Sequence, residues 1–123
     1  MKNKNINTIL LADDEYHILE MLSDMLEISG YKCLKALDGE EAYKIYKNMK
    51  NEIDLLLLDI LMPKMSGVEL YSDIIKDHPE IKVVFISGYT EKEEIKKFLK
   101  KNKLPYLNKP FQFNDLLEKI NYL

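Results

Sequence analysis

Three short apolar runs in this chain stop abruptly at polar residues that can do chemistry. Thr8-Ile9-Leu10-Leu11-Ala12 runs into Asp13-Asp14, Leu55–Leu58 runs into Asp59, and Val83-Val84-Phe85-Ile86 runs into Ser87. Each run has the length of a buried strand, and the polar group sits at its C-terminal end. An unbroken Leu run implies burial on both faces, as in a parallel sheet sandwiched by helices. In open parallel α/β sheets, ligands bind at the C-terminal edge. Acids and a hydroxyl delivered to that edge read as a site rather than as core.

The segments between the runs have helical period. Residues 15–29 place Ile18, Leu19, Leu22, Met25 and Leu26 on one face, with Gly30 closing the helix. Residues 31–36 read as a second strand. Asp38-Gly39-Glu40-Glu41 has capping-box spacing and opens a helix to about residue 50. Residues 54–58 are the third strand. Ser66-Gly67-Val68-Glu69 opens a helix that stops before Pro79, and residues 81–86 are the fourth strand. Thr90 with Glu93 has the same spacing and starts a Lys-rich helix over 91–101. Residues 104–107 are a short fifth strand, and residues 112–122 a last helix with Phe113, Leu116, Leu117 and Ile120 inward. Strand and helix alternate throughout, so right-handed crossovers force parallel pairing. The expected fold is α/β, a doubly wound five-stranded parallel sheet, (βα)5 and flavodoxin-like, with strand order 2-1-3-4-5. Its switch point lies between strands one and three, which are the strands ending in Asp13-Asp14 and Asp59.

Composition removes several classes. At 123 residues with no Pro/Gly/Ser-rich linker or repeat, the chain reads as a single domain over 1–123. The net charge of −3 gives no basic field for nucleic acid. No apolar stretch is long enough to span a bilayer or to serve as a signal-peptide core, so a cytoplasmic protein is expected. The single Cys33 excludes an intramolecular disulfide and reads as a small buried hydrophobe.

Carboxylates packed together raise each other's pKa, and a divalent cation relieves the conflict. Oxygen-only ligands with room for water suit Mg²⁺. Lys109 follows the fifth strand and offers a fixed positive charge, while Ser87 offers a hydroxyl. Metal, ammonium and hydroxyl are what a transferring phosphoryl group needs on its oxygens. A carboxylate facing that group is the nucleophile of an acyl phosphate. The plainer alternatives are solvated acids at strand ends and a solvated surface lysine.

With these residues in order, the chain resembles the response-regulator receiver domains of two-component signalling, chemotaxis-Y-like, over essentially its whole length. The matching pieces are Asp13-Asp14-Glu15, Asp38-Gly39-Glu40-Glu41-Ala42, Asp59-Ile60-Leu61-Met62-Pro63, Gly67, Ser87-Gly88-Tyr89 and Lys109-Pro110-Phe111. The resemblance implies that Asp59 is the phosphoacceptor. It implies that Asp14 binds Mg²⁺ directly, that Asp13 holds it mainly through water, and that the Leu61 carbonyl completes the protein ligands. Lys109 and Ser87 then hold phosphoryl oxygens, the Lys109–Pro110 peptide is cis, and Tyr106 is the switch aromatic. The implied partner is a histidine kinase or a histidine phosphotransfer protein. The implied output is a change in the surface made by the fifth strand with the fourth and fifth helices. Such a module catalyses its own modification without a turnover substrate, so it is expected not to be an enzyme.

Leu61 and Tyr89 occupy the two positions that tune acyl-phosphate lifetime in the family. Neither carries an acid or amide to orient an attacking water, so slow self-dephosphorylation is expected. An aspartyl-phosphate hydrolase of the haloacid dehalogenase type would need a second acid where Leu61 stands. A docking-only receiver is the third alternative, against which Asp13, Asp14, Asp59, Ser87 and Lys109 all argue. His17 and His78 lack a second nitrogen ligand and read as surface or loop residues. Lysines 92, 96, 97, 100, 101 and 103 read as a solvated face. A homodimer through the fourth and fifth helices is possible, with no sharp pattern for it.

Overall fold

The computed structural model describes residues 2–88 and 93–123. Strands and helices alternate: β1 (Thr8–Ala12), α1 (Tyr16–Ile28), β2 (Lys32–Ala36), α2 (Gly39–Met49), β3 (Leu55–Asp59), α3 (Gly67–Asp77), β4 (Lys82–Ser87), α4 (Glu93–Lys101), β5 (Tyr106–Asn108) and α5 (Phe113–Asn121). All strands pair in parallel in the order β2-β1-β3-β4-β5. This is the doubly wound flavodoxin-like α/β fold.

Side-chain alternation along the strands divides the interior into two cores. On one face Ile9, Leu11, Leu55, Leu57, Val84 and Ile86 pack against α1 and α5 through Leu19, Leu22, Leu26, Leu116 and Ile120. On the other face Leu10, Leu56, Leu58, Val83 and Phe85 pack against Tyr46 of α2, Leu70 and Ile74 of α3, and Leu99 of α4. Every residue of β1 and β3 is buried, whereas the edge strand β2 exposes Lys32 and Lys35 and fully buries only Ala36. Central strands therefore read as unbroken apolar runs.

Caps set where the helices begin. The Glu41 N–H donates to Asp38 Oδ1 at 2.7 Å, and the Glu69 N–H donates to Ser66 Oγ at 3.2 Å. The Glu41 carboxylate reaches back to the Leu37 N–H rather than to that of Asp38, so this box is offset by one residue. An unforeseen cap opens α5, where the Gln112 N–H donates to Asp115 Oδ2 at 3.1 Å. Gly30, at φ +103, follows the α1 C-cap Ser29. The fifth strand begins at Tyr106 rather than 104, because Pro105 has no N–H to give a ladder and contributes only its carbonyl, to the Phe85 N–H. The Thr90 cap and Lys92 lie outside the described residues. Lys103 lies past the end of α4, at φ 54. Among the described residues, no helix is long and apolar enough to cross a membrane.

Candidate functional site

The sheet delivers its polar ends to one edge. Asp13 follows β1, Asp59 ends β3, Ser87 ends β4, and Lys109 follows β5. Backbone hydrogen bonds tie these ends across the sheet: Asp13 N–H to Ala36 O, Ile60 N–H to Ile86 O, and Lys109 N–H to Ser87 O. Asp13, Asp59 and Ser87 are buried, while Asp14 is exposed.

One carboxylate oxygen from each of Asp13, Asp14 and Asp59 lies within 4.8 Å of the others. The Lys109 ammonium reaches into the same space, 3.1 Å from Asp59 Oδ2 and 3.6 Å from both Asp13 Oδ2 and Glu15 Oε1. Asp13 Oδ1 accepts from the Glu15 N–H at 2.9 Å, and Asp59 Oδ1 accepts from the Leu61 N–H at 3.3 Å. Among the described residues, two buried side-chain polar atoms lack a hydrogen-bond partner, Asp13 Oδ2 and Ser87 Oγ. Burial of such atoms without a partner is unfavourable, and each fits a site that binds water, an ion or a ligand.

Electrostatics follow from this crowding. Burial, and then the neighbouring Asp13 charge, push the Asp59 carboxyl up to about 6, against the opposing pull of Lys109. Asp13 is raised as well, chiefly by burial. Desolvation is thus a larger cause than the mutual repulsion inferred from sequence. Burial lowers the Lys109 ammonium, but Asp59 and Asp13 outweigh it and leave the pKa raised. The donor set is all oxygen, pre-assembled, and carries a buried lone pair without a donor, which fits a hard divalent cation.

The remaining sequence candidates are placed as follows. Leu61 is exposed beside the site. Tyr106 is half-buried on β5 and packs against the core cluster that includes Leu99 of α4. The Lys109–Pro110 peptide is cis. Tyr89 lies outside the described residues. His17 is exposed on α1, and His78 caps the end of α3. Cys33 is half-buried rather than buried, and burial pushes its thiol up to about 11, which disfavours the thiolate at neutral pH. Sequence reading gave Glu15 no contact with Lys109, although its position beside the acid pair was a usable signal.

The sequence matches the family model for the response regulator receiver domain over residues 9–121. The chain belongs to the receiver-domain family. Among curated relatives, sensor kinase CckA of Brucella abortus is 34% identical over 89% of this chain and 12% of its own length. Transcriptional regulatory protein RprY of Bacteroides fragilis is 32% identical over 91% of this chain and 47% of its own. The chain therefore spans about half or less of the length of these curated relatives. Among solved structures, a response regulator receiver domain protein of Clostridium thermocellum superposes with a TM-score of 0.84 at 32% identity, covering 95% of this chain and 93% of that one. A CheX–CheY–BeF3–Mg²⁺ complex of Borrelia burgdorferi gives 0.83 at 29% identity, covering 98% and 96%. This chain is thus a receiver domain carrying an acidic cluster able to hold a metal.

Proposed function

We propose that this receiver domain accepts a phosphoryl group on Asp59 from the phosphohistidine of a histidine kinase or a histidine phosphotransfer protein, with Mg²⁺ as cofactor. The observation that carries the reading is the 3.1 Å approach of the Lys109 ammonium to Asp59 Oδ2 beside two buried oxygens that lack a hydrogen-bond donor, Asp13 Oδ2 and Ser87 Oγ. Asp13, Asp14, Asp59 and the Leu61 carbonyl would hold the cation. Bound there, Mg²⁺ supplies positive charge to the phosphoryl oxygens as they cross. Asp59 attacks phosphorus, the P–N bond breaks, and the imidazole leaves with the electron pair. Lys109 shifts from Asp59 to a phosphoryl oxygen and keeps its charge throughout. Ser87 Oγ, lacking a partner at rest, donates to another.

The product is an acyl phosphate on the protein itself, so there is no turnover substrate and the domain is not an enzyme in the usual sense. Leu61 carries no acid or amide to orient water, and the phosphoryl group is long-lived. Drawing Ser87 toward the phosphoryl group shifts the end of β4. Tyr106 then shifts the population of the surface formed by β5, α4 and α5. A histidine kinase donor places the protein in the cytoplasm. The BeF3 and Mg²⁺ named with the Borrelia burgdorferi relative fit the same chemistry. The test is transfer of radiolabelled phosphate from a phosphorylated histidine phosphotransfer protein. Label on the parent that hydroxylamine removes, and none on Asp59→Asn, supports the reading. Hydroxylamine-resistant label, or label on the variant, contradicts it.

A further inference from the structure

Two helices in this chain begin with glycine, and neither helix needs one. Gly39 and Gly67 are the first residues of α2 and α3. Neither has a positive φ. Alanine suits a helix better than glycine. What excludes a side chain is the neighbouring backbone. A Cβ on Gly39 would lie 2.2 Å from the Met65 carbonyl oxygen and 2.7 Å from Met65 Cβ. A Cβ on Gly67 would lie 2.4 Å from the Asp59 carbonyl oxygen. Both contacts fall on the loop that leaves Asp59 and carries Leu61.

The same loop is gripped elsewhere. The Gly67 N–H donates to Ile60 O at 2.9 Å, and the Met65 N–H donates to Pro63 O at 2.7 Å. Ile60 is buried, while Met62 and Met65 pack on the core. Lys64 takes φ +68, uncommon for a lysine. From that turn its ammonium lies 3.5 Å from Asp38 Oδ2, on the residue that caps α2. The loop is thus seated on the start of α2 by a close backbone approach and by a charge pair, while Leu61 at its crest stays exposed.

We infer that Gly39, with the Asp38–Lys64 pair, is a positioning element. It seats the loop after Asp59 on the N-terminus of α2 and so fixes the Leu61 carbonyl for the cation, although none of the three belongs to the acidic cluster. The inference rests on the function proposed above. Because Gly39→Ala improves helix propensity, its effect on metal affinity separates loop seating from helix stability. The collision is with backbone, which cannot rotate away as a side chain would, so the loop itself must move.

The test is Mg²⁺ titration calorimetry on the parent, Gly39→Ala and Asp38→Asn, with melting temperatures in EDTA alongside. Asn still caps a helix but cannot hold Lys64 by charge. Gly39→Ala is expected to weaken Mg²⁺ binding about tenfold. Asp38→Asn is expected to weaken it two- to threefold with its melting temperature in EDTA unchanged. If Gly39→Ala does not fold, the Asp38→Asn result decides. Parent-like Mg²⁺ affinity in the folded variants overturns the inference and leaves the proposed function standing. Failure of the parent itself to bind Mg²⁺ overturns both.

Discussion

At the scale of single residues, the site is built from groups the fold would be more stable without. Asp59 is held up to about 6 by burial and by Asp13, against an ordinary value of 3.8. The folded protein therefore binds this proton more tightly than the unfolded chain does. Stability from this group falls as pH rises from about 4 to about 6, and the penalty is complete above that window. Asp59→Asn removes it and is expected to stabilise the metal-free protein by about 1–2 kcal/mol at pH 7.5. The gain should shrink toward pH 4. Thermal melts in EDTA at several pH values check this, and a gain independent of pH would contradict it. Ser87 makes the same point without charge. Its hydroxyl is fully buried and has no partner. Ser87→Ala should leave the metal-free stability equal or higher, by up to about 1 kcal/mol, while slowing phosphorylation. A destabilised Ser87→Ala would mean that the hydroxyl has a structural bond.

At the scale of elements, the central strands carry the fold. Leu57 is fully buried between β1 and β4 on the α1–α5 face. Leu57→Ala is expected to cost about 2–5 kcal/mol in urea unfolding, and a loss under 1 kcal/mol would show that the core collapses around the cavity. These strands were also the most legible part of the sequence. Burial on both faces forces an apolar run, and the run ends where the site begins, so Asp13, Asp59 and Ser87 were visible from the pattern alone. Lys109 was visible because a short strand and Pro110 bracket it. Edges and loops were harder to read. β2, at the sheet edge, carries two exposed lysines and no unbroken apolar run, and β5 is shortened by Pro105. The pairing of Lys64 with Asp38 and the crowding at Gly39 join segments distant in sequence, and no local period encodes them. Capping spacing located the starts of α2 and α3. It gave no sign that the glycine after each cap serves a neighbouring loop.

At the scale of the molecule, a site at one sheet edge is joined to a surface on its flank. β4 ends in Ser87 and pairs with β5, where Phe85 lies opposite Tyr106. Tyr106 packs against the core cluster to which Leu99 of α4 belongs. A Tyr106→Ala variant should still take up phosphate at Asp59. Its amide hydrogen exchange over β5, α4 and α5 should no longer change on phosphorylation. An unchanged exchange response would remove Tyr106 from the switch. The central claim is that Asp59 is a Mg²⁺-dependent phosphoacceptor. Its most direct test is the intact mass of the parent and of Asp59→Ala after incubation with acetyl phosphate and Mg²⁺. The account predicts one added phosphoryl group on the parent, none with EDTA, and none on the variant. An unmodified parent that nonetheless binds Mg²⁺, or an adduct that survives in Asp59→Ala, would contradict it.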